Sequence, residues 1–136
     1  MCIRDRFEAR TVEKRYIAVV EGIIARDEGV ADDPMRKDME QRLPPRHLID
    51  HERGKKAVTE WRVLERRDET TRVALFPRTG RSHQLRLHMQ SIGHAIVGDP
   101  IYGTAGRRLM LHAESLSFSH PETGDMIRLF CRTPFR

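Results

Sequence analysis

The chain has 136 residues, 38% hydrophobic and 33% charged, enough for one modest core and too short for a two-domain enzyme. Its longest apolar runs, Ile17–Val20 and Val73–Phe76, fall far short of a membrane span or a signal-peptide core, and two cysteines make no disulfide framework. The expectation is a soluble, reduced, cytoplasmic protein whose net charge of +5 favours polyanion partners without specifying one.

In chain order, Arg15–Glu21 is rich in β-branched residues and is closed by Gly22, which predicts a buried strand. Residues 23–56 carry scattered charge, Pro34, the pair Pro44-Pro45 and Gly54, and read as a long connection with little regular structure. Ala57–Arg66 alternates, with Thr59, Trp61 and Val63 on one face, and Thr70–Phe76 reads as its hairpin partner. After Pro77-Arg78-Thr79-Gly80 a helical pattern sets in. Leu85, Met89 and Ile92 share a face, Ser82 is the expected N-cap, and Gly93 can close the helix in the left-handed conformation. Gly98-Asp99-Pro100 and Tyr102-Gly103 mark a tight loop. Leu109–Phe118 and Met126–Cys131 read as strands joined by the turn-rich segment from His120 to Asp125. The fold class is α+β with a mostly antiparallel sheet.

Charge is not evenly placed. From Thr70 to Gly98 there is no Asp or Glu, while Arg72, Arg78, Arg81 and Arg86 and three histidines fall inside that stretch. The acids concentrate between Asp27 and Glu40 instead. A basic centre with an acidic insertion is the pattern of a polyanion-binding face.

The segment from Arg78 to Arg86 carries the most chemistry. A strand-to-helix turn with outward amides and nearby guanidinium groups suits phosphate or carboxylate. Arg86 reads in two ways. It is a solvated arginine on an exposed stripe, the commoner case, or it lies near the buried face and needs an acidic partner. The seven histidines invite a metal reading through His47 and His51 or through His83, His88 and His94. The spacings match no metal motif and the surrounding arginines repel cations, so no metal is expected. Ser82 lacks a nucleophile-elbow sequence, and Cys131 reads as core. Tyr16 is either a packing residue or an aromatic face for a base flanked by the cations Lys14 and Arg15. His112 reads as a satisfied strand histidine, and Asp99 as a turn-maker.

Five ordered stretches resemble the RluA family of RNA pseudouridine synthases. They are Lys14–Gly22, Gly54–Trp61, Thr79–Met89, Ile92–Gly103, and the pair Leu111-His112-Ala113 with Ser119-His120-Pro121. The compact form of residues 23–56 is most similar to members that modify large-subunit ribosomal RNA and a transfer-RNA anticodon stem-loop. The resemblance implies an isomerase that flips a uridine out of RNA, breaks its N-glycosidic bond, and rejoins the base through carbon 5, with no metal or organic cofactor. By motif position Tyr16 matches the tyrosine that packs against the flipped uracil and helps remove the carbon-5 proton. Arg86 matches the arginine that pairs with the catalytic aspartate, which turns the reading of that residue from solvated to paired. Lys14, Arg81, His83 and Gln84 are expected to line the cleft or contact the RNA. The partner is ribosomal or transfer RNA, no membrane is involved, and the whole protein is expected to be a monomer.

One departure matters. The family's aspartate lies in a His-Arg-Leu-Asp segment well upstream of the tyrosine, and this sequence has none. Asp5 is too close to Tyr16 to take its place. Residues 1–6 match nothing in the family and read as a leader or junction; residues 7–136 read as the C-terminal portion of the catalytic domain. On that expectation the chain is inactive alone, exposes an open sheet edge prone to aggregation, and leaves Arg86 to solvent or a stray carboxylate. Two other readings stand beside it: a non-catalytic RNA-binding module that keeps the cleft, and, more distantly, a histidine-based metal-dependent nuclease.

Overall fold

A computed structural model describes residues 12–40, 43–119 and 126–135. The strands are β1 (Val12–Glu21), β2 (Glu28–Ala31), β3 (Met35–Lys37), β4 (His47–Ile49), β5 (Thr59–Arg66), β6 (Thr70–Pro77), β7 (Leu111–Ser119) and β8 (Met126–Phe130), and the helix α1 spans Gln84–Ser91. Six strands form one sheet in the order β2-β5-β6-β1-β7-β8, while β3 and β4 form a small two-stranded sheet. Every strand pair is antiparallel. The α+β expectation holds. No helix among the described residues is long and apolar enough to cross a membrane.

The long strands follow from their alternation. Tyr16 on β1 and Trp61 on β5 both pair with Leu75 on β6, so one sheet face carries Tyr16, Ala18 and Val20 beside Val73, Leu75 and Trp61. Helix α1 lays Leu85 and Met89 on that face, and Ile24 and Ile96 complete the core. The opposite side of the helix presents Leu87 to a second cluster with Met35, Ala57 and Tyr102, under the small sheet. The helix is therefore apolar on two sides, wider than the single stripe its periodicity suggests.

Three expectations need correction. The connection 23–56 is not irregular; it contains β2, β3 and β4, whose three or four residues are too few to show a period. Ser82 is not the N-cap. His83 occupies that position in the left-handed conformation with no side-chain cap, and the side chain of Gln84 satisfies the preceding turn instead. Gly93 does close the helix, at φ 90°. Cys131 is exposed rather than core, because it follows the end of β8, an edge strand. The proposed boundary at residue 6 and the hairpin turn 120–125 lie outside the described residues. On β8, Leu129 and Phe130 are exposed, so this edge strand carries apolar surface.

Leu75 is wholly buried and sits between Tyr16 and Trp61. Leu75→Ala should cost about 2–5 kcal/mol in urea denaturation. Leu64→Ala, at a 41% exposed position, should change stability by less than about 0.5 kcal/mol.

Candidate active site

The loop before α1 is built around one amide. Gln84 is buried at 3% exposure. Its oxygen accepts from the Thr79 hydroxyl at 2.6 Å and from the Arg81 N–H at 3.1 Å. Its nitrogen donates to the Val58 carbonyl at 2.8 Å and the Thr59 hydroxyl at 2.9 Å. One turn later His88, also buried, takes the Thr59 hydroxyl at Nδ1 (2.8 Å) and donates from Nε2 to the Asp33 carbonyl (2.9 Å). The directions agree throughout with a neutral imidazole protonated at Nε2. A continuous polar chain thus runs from the Thr79–Arg81 loop through the helix to the β2–β3 connection. It fixes the loop, and it uses the whole hydrogen-bonding capacity of Gln84. Gln84 was expected to line the cleft or contact the RNA; it lies at the cleft beside this loop, and its amide holds the loop that presents Arg81.

A cleft of about 260 Å³ opens beside this loop, lined by Lys14, Tyr16, Arg81, His83, Gln84 and Arg86 among others. Tyr16 reaches it from β1, where it is half-buried against the core. Arg81 is exposed, with its Nε donating to the Lys56 carbonyl at 3.0 Å. No Asp or Glu is among the described residues lining the cleft. A larger cavity of about 790 Å³ lies elsewhere on the sheet, lined by Arg15, Arg62 and Arg78 among others. Those arginines are matched by Glu114, Glu28 and Glu60 respectively, so the cavity's size does not make it the better polyanion site.

Arg86 is neither solvated nor unpaired. Its Nε donates to Asp99 Oδ2 at 2.9 Å and its Nη2 to Asp99 Oδ1 at 2.8 Å, a two-point fork. Asp99 is fully buried, and its Oδ1 also accepts the N–H groups of Ile101 (3.0 Å) and Tyr102 (3.1 Å). Asp99 is therefore the turn-maker its surroundings suggested and Arg86's partner as well. Burial alone would push the carboxyl up, but the Arg86 hydrogen bonds and the two amides outweigh it and hold the carboxyl below its ordinary value. The Asp99 hydrogen bond likewise raises Arg86 against the opposing effect of burial. Gly98 makes the turn possible. At φ 83° it takes a backbone that side chains disfavour, and a Cβ there would collide with the Arg108 carbonyl.

Tyr102 ties this unit to the small sheet. Its hydroxyl accepts the His47 N–H at 2.8 Å and lies 2.8 Å from His83 Nδ1. The Arg86 guanidinium carbon sits 5.3 Å from its ring centroid. His83 is the one non-glycine residue with positive φ, 58°, among the described residues. Burial, then the nearby Arg86 charge, lowers its pKa. Of the histidines considered for a metal, the group His83, His88 and His94 points to separate partners: His83 to Tyr102, His88 to Thr59, and His94 to the Glu21 carbonyl. His112 meets the Cys131 carbonyl at 3.1 Å. Sequence reasoning missed Asp99 and Tyr102 as members of the site. The available signal was that Asp99 is the acid that ends the acid-free stretch.

The sequence model of a family described as RNA pseudouridylate synthase matches residues 2–91, which takes in both Tyr16 and Arg86. The chain belongs to that family. It is 42% identical to the dual-specificity RNA pseudouridine synthase RluA of Yersinia pestis, over 98% of this chain and 66% of that protein. The corresponding protein of Haemophilus influenzae is also 42% identical, over 98% and 63%. That of Escherichia coli K12 is 42% identical over 90% and 58%. The chain thus spans only 58% to 66% of the length of these relatives. Among solved structures, human RNA pseudouridylate synthase domain containing 1 superposes with a TM-score of 0.82 at 31% identity, over 98% of this chain and 59% of that one. Human RNA pseudouridylate synthase domain containing 4 shares the fold, with a TM-score of 0.76 at 24% identity over 97% and 62%.

Burial is the leading cause that lowers the pKa of His88, His83 and His47 below the ordinary 6.5. Such a group takes its proton more readily in the unfolded chain. Its contribution to stability is complete above about pH 6.5 and falls as pH drops below that value toward the folded one. The urea midpoint should therefore be lower near pH 5.5 than near pH 7.5. His88→Gln should shrink that difference; equal midpoints for the native chain at the two pH values would contradict the assignment.

Proposed function

We propose that this chain supplies the tyrosine- and arginine-bearing wall of the cleft in an RNA pseudouridine synthase, which isomerises uridine to pseudouridine in ribosomal or transfer RNA. The observation that carries this reading is the convergence of Tyr16 and Arg86, seventy positions apart in the sequence, on one cleft ringed by Lys14, Arg81 and His83. Lys14 and Arg81 neutralise phosphates flanking the target. The uridine turns out of its stack into the cleft, where the Tyr16 ring offers an aromatic surface for the uracil. Arg86 keeps a catalytic carboxylate ionised and aimed. The carboxylate drives cleavage of the bond between uracil N1 and ribose C1′; the base rotates, C5 bonds to C1′, and the C5 proton leaves, with Tyr16 placed to assist. His83, neutral at pH 7, is a hydrogen-bonding group of the cleft wall rather than a phosphate cation.

The cleft's described lining holds no acid, and this favours a second reading for the chain by itself: an RNA-binding module without turnover. The two differ in one assay. With RNA carrying uridine tritiated at carbon 5, the purified chain should release no tritium above background, and release would show that it holds its own nucleophile. Binding of a uridine-containing stem-loop should weaken steeply with salt. Arg81→Ala should lower the salt slope by about 1; an unchanged slope would remove Arg81 from the interface.

A further inference from the structure

The fork between Arg86 and Asp99 is more than the turn requires. Asp99 Oδ1 already accepts the Ile101 and Tyr102 amides, which an Asn or Ser side chain could do as well. The carboxylate adds a second function, engaging Arg86 through Nε and Nη2. A guanidinium has five N–H donors in a rigid plane. With the Nε–Nη2 edge held, the Nη1 edge has no hydrogen-bond partner among the described residues, and Arg86 lines the cleft. Its face is fixed too, since the Tyr102 ring lies 5.3 Å from the guanidinium carbon. That ring is anchored by the His47 N–H and His83. Asp99 is itself immobilised, being fully buried on a turn whose Gly98 has no room for a side chain.

We propose that Asp99 is a positioning residue: it grips Arg86 by one edge so that the Nη1 edge is preset in the cleft as a receptor for a carboxylate. The receptor forms with the fold and does not wait for its ligand, so no side-chain reorganisation is left for the moment of binding. The assignment rests on the pseudouridine synthase reading for its purpose, since the carboxylate received would be the catalytic one. Its geometry stands without RNA.

The test uses the whole chain labelled with 15N and acetate as the carboxylate probe. The Arg86 Nε–H resonance, assigned by its disappearance in Arg86→Lys, should be protected from solvent exchange. Acetate should shift the Arg86 side-chain resonances along a saturable curve. In Asp99→Asn, which keeps the turn's amide acceptors, the Nε–H should exchange about tenfold faster or more and the acetate response should weaken at least as much. Asp99→Glu, which restores the charge one methylene out of place, should recover protection but not the full acetate response. An acetate-independent Arg86 in the native chain overturns the proposal whatever the variants do, and so does an Asp99→Asn chain with native protection and native acetate response. If RNA binding fails while acetate binds as described, the functional reading falls and the receptor remains. If RNA binds while acetate leaves Arg86 unmoved, the receptor falls alone.

Discussion

The fork joining Arg86 to Asp99 ties three parts of the molecule to one point. The arginine comes from the helix, the aspartate from the turn after it, and Tyr102, whose backbone amide Asp99 holds, reaches the small sheet through the His47 N–H. Removing either charge would leave the other in a largely dry place, a loss of about 3–5 kcal/mol in comparable buried pairs. The pair therefore constrains the fold and the cleft together. The helix cannot shift along the sheet without moving the guanidinium, and the turn cannot relax without releasing it.

A second polar thread runs alongside and does a different job. Gln84 and His88, one turn apart on the inner side of α1, connect the Thr79–Arg81 loop to Thr59 and to the Asp33 carbonyl. Helices in a core are ordinarily held by apolar packing, and α1 has that through Leu85, Leu87 and Met89. The added thread fixes direction: each donor meets one acceptor, and a slip of the helix would leave several buried polar groups unmatched. The cations of the cleft are thus carried on a frame that is rigid before any ligand arrives.

What the sequence reveals divides along a physical line. Val12–Glu21, Thr59–Arg66 and Thr70–Pro77 are long enough for alternation and β-branching to show, and the strands were legible within a few residues. The three-residue strands β3 and β4 were not, because a period needs more than one cycle to be seen. Tyr16 and Arg86 could be singled out through the ordered motifs around them. The partner of Arg86 could not, since a helix-to-turn contact depends on how the turn folds back, and Asp99 beside Gly98 and Pro100 looks the same in a turn that binds nothing. Gln84 was legible in part: it lines the cleft as its motif implied, while the four hydrogen bonds by which its amide holds the loop depend on contacts across the fold.

If the chain acts as proposed, uridine enters the cleft beside Tyr16 and not the larger cavity elsewhere on the sheet. Photo-crosslinking tests it directly, with a stem-loop carrying a single 5-iodouridine at the candidate position and mass spectrometry to locate the attachment. The expected result is a crosslink on the peptide containing Tyr16, lost on competition with unlabelled stem-loop. A crosslink at Phe76 or Trp61, which line the larger cavity, with none at Tyr16, would contradict it.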